Sequence, residues 1–291
     1  MTGPAPAVSP LAASAVTALF VPGDRPERFT KAAASGADII IIDLEDAVAP
    51  GSKAAARAAA VGALSASDGG VRALVRINPA GTEAFGADLS ALLAGGPPAG
   101  LLGVVLAKAE TAADVEHLLG VLPAGLAVIP LVESALGLRE ADALASVIGV
   151  TRLAFGAIDF ALDINSASEE QYLAYARSRL VVASRAAGIA APLDSPSTEI
   201  RDAEAVAASA AHANGFGFGG KLCIHPAQLG PVADAFGPTA EETAWARTVL
   251  AADGDAGGAA VQLDGKMIDA PVVERARRIL QLAGFQSGQE Q

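Results

Sequence analysis

The chain has 291 residues, 52% hydrophobic and 18% charged, with 20 Lys+Arg against 32 Asp+Glu for a net charge of −12. Such a chain can bury a full core, which excludes a disordered polymer, and no uncharged apolar run approaches the ~20 residues of a bilayer span. The acidic balance argues against nucleic acid or an anionic membrane as partner, and the lone Cys223 leaves no intrachain disulfide and no CxxC zinc or redox site.

A cytoplasmic setting is expected. The first fifteen residues, MTGPAPAVSPLAASA, lack the cationic start of a secretory signal and are expected to form a flexible arm. From Thr17, short apolar runs of β type alternate with Ala-rich segments of helical period, the pattern of repeated βα units around a parallel sheet. In chain order the predicted strands are 17–21, 38–43, 71–77, 102–107, 126–132, 152–157, 188–193 and 219–224. Helices are predicted around 26–35, 52–64, 86–94, 111–119, 138–147, 171–187 and 202–213, each long enough for a right-handed crossover. Eight such units close into an α/β fold of (β/α)8 type, a TIM barrel spanning 16–237. The rival, a doubly wound dinucleotide-binding sheet, wants a GxGxxG turn where this chain has VPGDRPERF. Residues 238–291 are expected to be a C-terminal helical extension, with helices near 239–252 and 272–282.

In barrels the reactive side chains stand at the carboxyl ends of the strands. The residues ending these runs are Asp43, Glu45 and Asp46; Arg76 and Asn78; Lys108 and Glu110; Glu133; Asp159; and His225. Glu133 and Asp159 follow neighbouring strands, and such a pair suits Mg²⁺, which takes one or two protein carboxylates and completes its shell with water and substrate oxygens. The competing reading is that each caps the helix after its strand. Arg76 would bring a planar fork of donors to bind a carboxylate or a developing enolate oxygen, or would form a structural ion pair with Asp43 or Glu45. Arg25, Arg28 and Lys31 share one helical face past the first strand, placed either for phosphates or as a solvated charged face. His225 reads as a strand-end structural residue.

The ordered motifs FVPGDRPERFTKA, DLEDAVAP with Lys53 and Arg57, VRINPAGT, LAKAET, PLVESALG, FGAIDF, GKLCIHPAQ and GKMIDAP resemble the citrate lyase beta-subunit and malyl-CoA lyase family from about Leu19 to Leu280. The resemblance implies a barrel of the phosphoenolpyruvate-binding kind, assembled as a homotrimer or hexamer, with Mg²⁺ on Glu133 and Asp159 and with Arg76 on the substrate. It implies CoA contacts from Arg28 and Lys31, with Arg25 nearby, and from the LDSP stretch at Leu193 and Asp194. Asp269 in GKMIDAP matches a catalytic carboxylate that one subunit's tail delivers to its neighbour's barrel. The chain departs from the family pattern at Ile158, where Glu is usual before the metal Asp, at Phe20, where several members carry Tyr, at Glu27 and in the loop LDSPSTEIRD.

The implied activity is cleavage or formation of a carbon–carbon bond in a 3-hydroxyacyl-CoA such as malyl-, citramalyl- or citryl-CoA, giving an acyl-CoA and a 2-keto acid. Two rivals stay open: a CoA-independent aldolase acting on a free 2-keto-3-hydroxy acid, and a non-catalytic acyl-CoA-binding subunit.

Overall fold

The computed structural model describes residues 10–67, 70–167, 169–255, 261–263 and 266–287. It divides into two compact units, Met1–Ala233 and Asp234–Gln291.

In the first unit, α1 (Pro10–Ser14) leads into β1 (Thr17–Pro22), α2 (Phe29–Ala33), β2 (Ile39–Asp43), α3 (Lys53–Ser65), β3 (Ala73–Ile77), α4 (Glu83–Leu93), β4 (Leu101–Leu106) and α5 (Ala112–Val121). Then come β5 (Ala127–Val132), α6 (Ala135–Arg139), α7 (Ala141–Ser146), β6 (Arg152–Phe155), α8 (Ala157–Asp163), α9 (Glu170–Ala187), β7 (Ala190–Asp194), α10 (Ala203–Phe216), β8 (Gly220–Cys223) and α11 (Leu229–Phe236). β1 pairs in parallel with both β2 and β8, so the eight strands close the expected barrel.

Strands covered on both faces read as unbroken apolar runs rather than alternating ones. β2, β4 and β5 are accordingly buried along their whole length. Ile39, Ile41, Leu74, Val105, Ile129, Leu131, Leu193 and Leu222 fill one cluster with Phe20 packed against it. A register shift between β3 and β4 is accommodated at Gly103, where φ is +152° and a Cβ would run into the backbone of Ala127.

Among the boundaries that differ from the sequence reading, three have a clear local cause. The helix expected over 138–147 is two short helices meeting at Glu140, whose backbone (φ −88°, ψ 6°) leaves the helical well. The strand expected to run to residue 157 stops at Phe155, because Gly156 (φ −103°, ψ 80°) turns the chain straight into α8. The arm expected to be flexible through residue 15 is structured from Pro10: α1 packs Ala12, and Ala15 beyond it, into the same core cluster. Residues 1–9 lie outside the described residues.

At that end of the barrel Arg152 is almost wholly enclosed. Its Nε donates to the Ala191 carbonyl at 2.9 Å and its Nη1 to that of Ala15 at 2.8 Å. Burial pushes its pKa down to about 9.

The second unit comprises α12 (Ala240–Asp255), an antiparallel pair β9 (Val261–Leu263) and β10 (Lys266–Ile268), and α13 (Ala270–Ser287). Ala246, Val249, Ile268, Val273, Ala276 and Ile279 form its core, with Trp245 against it. The strand pair was not anticipated from the sequence; three-residue strands give too short a period to register. No helix of the described residues is long and apolar enough to cross a membrane.

Candidate active site

The pairing of β2 with β3 puts Asp43 opposite Arg76, so their side chains leave the sheet on the same side. Arg76 Nε donates to Asp43 Oδ1 at 2.7 Å and Nη2 to Oδ2 at 2.6 Å, while Nη1 stands 3.2 Å from Glu45 Oε2. The same two Asp43 oxygens accept the N–H groups of Glu45 and Ala47, at 2.9 and 3.1 Å, which shapes the turn after β2. The Phe20 ring lies beneath the guanidinium, 4.7 Å from Cζ. Burial alone would lower the Arg76 pKa, but the hydrogen bonds and charge of Asp43, with Glu45 and Glu133, hold it above its ordinary value.

Lys108 ends the β4 turn in the left-handed region, φ 47°, unusual for a side chain with a Cβ. Its N–H meets Glu133 Oε1 at 2.7 Å, and its Nζ meets Glu45 Oε1 at 2.7 Å. Burial raises the Glu45 pKa, against the pull of Arg76 and Lys108. Glu133 is pushed up to about 8, first by burial and then by the Glu45 carboxylate, against the Lys108 hydrogen bond and the charges of Arg76 and Lys108.

The helix-capping alternative fails for both candidate metal ligands. Ser134 is the N-cap of α6, its Oγ accepting from Gly137 N–H at 3.1 Å, which leaves Glu133 out of the helix. The N-cap of α8 is Gly156, with no side-chain cap, and Asp159 lies in the first turn without a hydrogen-bond or ion-pair partner among the described residues. Glycine is required at 156: a Cβ there would stand 2.5 Å from Glu133 Oε2 and 2.7 Å from its Cβ.

Asp43, Arg76, Glu133, Asp159 and Phe20 line one cavity of about 410 Å³ at the carboxyl ends of the strands, walled further by Leu131, Ile158, Ser195, Pro196, Leu222 and Ile224. Among the described residues no group of three or more His, Cys, Asp or Glu gathers as a ready-made metal cage. Two hard oxygen donors beside an open cavity, one an under-compensated buried carboxylate, nonetheless fit a divalent cation that keeps positions for water and substrate.

Other expected residues stand elsewhere. Arg25, Arg28 and Lys31 are exposed and line none of this cavity. Leu193 and Asp194 are buried in β7, where they have no surface to offer CoA. Leu193 belongs to the barrel core. Asp194 accepts from Arg177 Nε at 2.9 Å and Lys221 Nζ at 2.6 Å, so the charges read as ligand contacts neutralise one another. Ser195 and Pro196 are the members of that stretch that reach the cavity. His225 is structural as expected, its Nδ1 accepting from Ala227 N–H at 3.1 Å in a reciprocal cap with Gln228. In the second unit Asp269 is exposed ahead of α13, its Oδ1 accepting from Val272 N–H at 3.3 Å.

Lys53, Arg57 and Asn78 are marked by motif or strand end, but their supporting contacts, and those of Asp88 and Gln228, went unread. Lys53 Nζ reaches the carbonyls of Leu44 and Glu45 and Asn78 Oδ1 at 2.8, 3.0 and 2.7 Å, fixing the turn that carries Glu45. Buried Asp88 ties Asn78 to Arg57. Gln228 donates from Nε2 to the carbonyls of Ser197 and Glu199, both at 2.8 Å, and so joins the loop after β7 to the turn after β8. The sequence signal for these residues is their place in or beside the ordered motifs, which names no partner for them.

The family model described as HpcH/HpaI aldolase/citrate lyase matches residues 17–226. A citrate lyase subunit beta-like protein of Mycobacterium tuberculosis is 38% identical over 273 residues, 91% of this chain and 94% of the relative. The crystal structure of protein CitE from M. tuberculosis in complex with magnesium, acetoacetate and coenzyme A superposes with a TM-score of 0.81 at 38% identity, covering 94% of this chain and 99% of that one. A citrate lyase beta subunit from M. tuberculosis complexed with oxaloacetate and magnesium gives a TM-score of 0.68 at 36% identity over 78% of this chain and 99% of the other. With most of the barrel matched by the family model and most of both chains aligned at this identity, the protein belongs to the HpcH/HpaI aldolase/citrate lyase family.

Proposed function

We propose that the protein is a Mg²⁺-dependent carbon–carbon lyase that cleaves, or forms, a 3-hydroxyacyl-CoA of the malyl-, citramalyl- or citryl-CoA kind. The observation that carries this reading is the pair Glu133 and Asp159, freed from capping and ion pairing, in one cavity with Arg76. Magnesium and coenzyme A in the complex of the M. tuberculosis relative support it.

Glu133 and Asp159 would hold the cation, whose chemistry is Lewis-acid polarisation of the keto-acid oxygens. In cleavage the 3-hydroxyl loses its proton to a carboxylate, the C2–C3 bond breaks, and its electron pair passes to the thioester carbonyl as an enolate. The N–H groups of Arg76 not engaged by Asp43 offer that enolate oxygen donors already oriented by the Asp43 fork and the Phe20 ring. The carboxylic acid formed in the first step returns its proton to the enolate carbon, which releases the acyl-CoA and restores the carboxylate. Asp269 of a neighbouring copy in a homotrimer or hexamer is the carboxylate assigned to the hydroxyl proton, a role its exposed place ahead of α13 leaves open.

Incubation with Mg²⁺ and a panel of hydroxyacyl-CoAs, following release of glyoxylate, pyruvate or oxaloacetate, tests the activity. Turnover that persists in excess EDTA would overturn the metal assignment. Because Arg25, Arg28 and Lys31 lie outside the cavity, a second reading keeps the same cation and Arg76 but acts on a free 2-keto-3-hydroxy acid. Cleavage of such an acid, with no CoA retained by the protein in a pulldown, would favour it.

A further inference from the structure

The cavity that holds Glu133 and Asp159 carries its charge unevenly. Its acids are Asp43, Asp46, Glu133 and Asp159, and the one cationic side chain lining it among the described residues is Arg76. That cation is already matched by the Asp43 fork and the Glu45 ion pair. Apart from Ser195, the rest of the wall is apolar, with Phe20, Leu131, Ile158, Pro196, Leu222 and Ile224 as its larger side chains. Ile158 is half-exposed in the first turn of α8, one residue before Asp159, so its side chain is not committed to the core.

We propose that the 2-keto acid released or consumed here is a monocarboxylate bearing hydrogen or a small alkyl group, and that Ile158 sets this choice. The inference rests on the Mg²⁺-dependent lyase reading above and narrows it. One carboxylate and the adjacent keto oxygen are the groups a divalent cation satisfies. A second carboxylate finds no unmatched cation among the described side chains that line the cavity, faces the charge of Asp46, and loses its hydration against apolar groups. An alkyl group on the same carbon gains from those same surfaces. The relative's complex with oxaloacetate means that the barrel itself tolerates a dicarboxylate. In this chain the selection falls to side chains, and of the two exposed isoleucines lining the cavity, Ile158 and Ile224, Ile158 is the one next to a proposed metal ligand.

The test is equilibrium binding to the Mg²⁺-loaded protein by calorimetry, with pyruvate, 2-oxobutyrate and freshly prepared oxaloacetate, on the wild type and on Ile158→Arg. Wild type is expected to bind both monocarboxylates and to hold oxaloacetate at least roughly tenfold more weakly. Ile158→Arg, which supplies the missing cation at a half-exposed position, is expected to recover oxaloacetate by about the same factor. Oxaloacetate bound by wild type as tightly as pyruvate would overturn the proposal. Discrimination in wild type without a gain in Ile158→Arg would overturn the assignment to Ile158. Absence of Mg²⁺-dependent binding for all three acids would strike the lyase reading itself.

Discussion

Asp43 and Arg76 meet as a two-pronged fork, 2.7 and 2.6 Å, because strand register sets them directly opposite each other on β2 and β3. The sheet, rather than a loop, therefore orients the guanidinium. Lysine at 76 keeps the charge but cannot grip two oxygens and still present a planar donor edge. Arg76→Lys is expected to lower kcat/KM roughly 100-fold in the cleavage assay. An unchanged kcat/KM would show that the pair only ties the two strands together.

Glu133 predicts a pH dependence with a definite sign. Folding raises its pKa from 4.5 to about 8, so the metal-free folded chain holds a proton there that the unfolded chain releases. That contribution to stability is complete below about 4.5 and is lost as pH rises through about 8. Glu45, also raised, adds in the same direction. Mg²⁺ competes with the proton, so its stabilising effect should grow across the same interval. Thermal midpoints across that range, with and without Mg²⁺, test this, and Glu133→Gln should flatten the slope and abolish the Mg²⁺ response.

Gly156→Ala tests the ligand geometry without touching a charge. The added methyl would collide with Glu133 Oε2, 2.5 Å away, and Ala can adopt the backbone angles at 156. Glu133 must shift as a whole, because turning its carboxylate leaves the methyl 2.7 Å from its Cβ. Mg²⁺ affinity by calorimetry should fall roughly tenfold or more, with the circular dichroism spectrum retained. Wild-type affinity in this variant would remove Glu133 from the metal site.

Asp194 separates structure from ligand contact. With both carboxylate oxygens committed to Arg177 and Lys221, Asp194→Ala strands the buried Lys221 ammonium, leaves Arg177 with Glu170 as its one carboxylate partner, and should cost about 3–5 kcal/mol of stability in denaturant unfolding. CoA affinity of whatever protein remains folded should be unaltered; a selective loss of CoA binding with stability intact would restore the contact role.

Subunit sharing of the active site is testable by mixing. Asp269→Asn and Arg76→Lys should each be nearly inactive alone. Co-refolded mixed oligomers should regain a fraction of wild-type turnover if Asp269 serves a neighbouring barrel and none if it serves its own, while full turnover of Asp269→Asn alone would show that it serves no site.

Much of the barrel was legible because its strands are local runs of Ile, Val and Leu, and burial on both faces leaves that mark in the sequence itself. The Asp43–Arg76 pair was legible as one of two readings. Polar partnerships across the barrel were not: nothing near Lys53 says that its ammonium group will find the Leu44 carbonyl, and nothing near Gln228 points to Ser197, 31 residues earlier. Asp194 misled because the LDSP resemblance says which residues stand together, not whether the acid faces the mouth or a buried lysine. Only closure of the sheet decides between them.

The buried Arg152 has a consequence for the order in which the chain assembles. The Ala15 carbonyl that its guanidinium holds belongs to a segment 137 residues earlier, and the Ala191 carbonyl to one 39 residues later. On the ribosome, then, the Ala15 segment must wait for its seat until six strands and the start of a seventh exist.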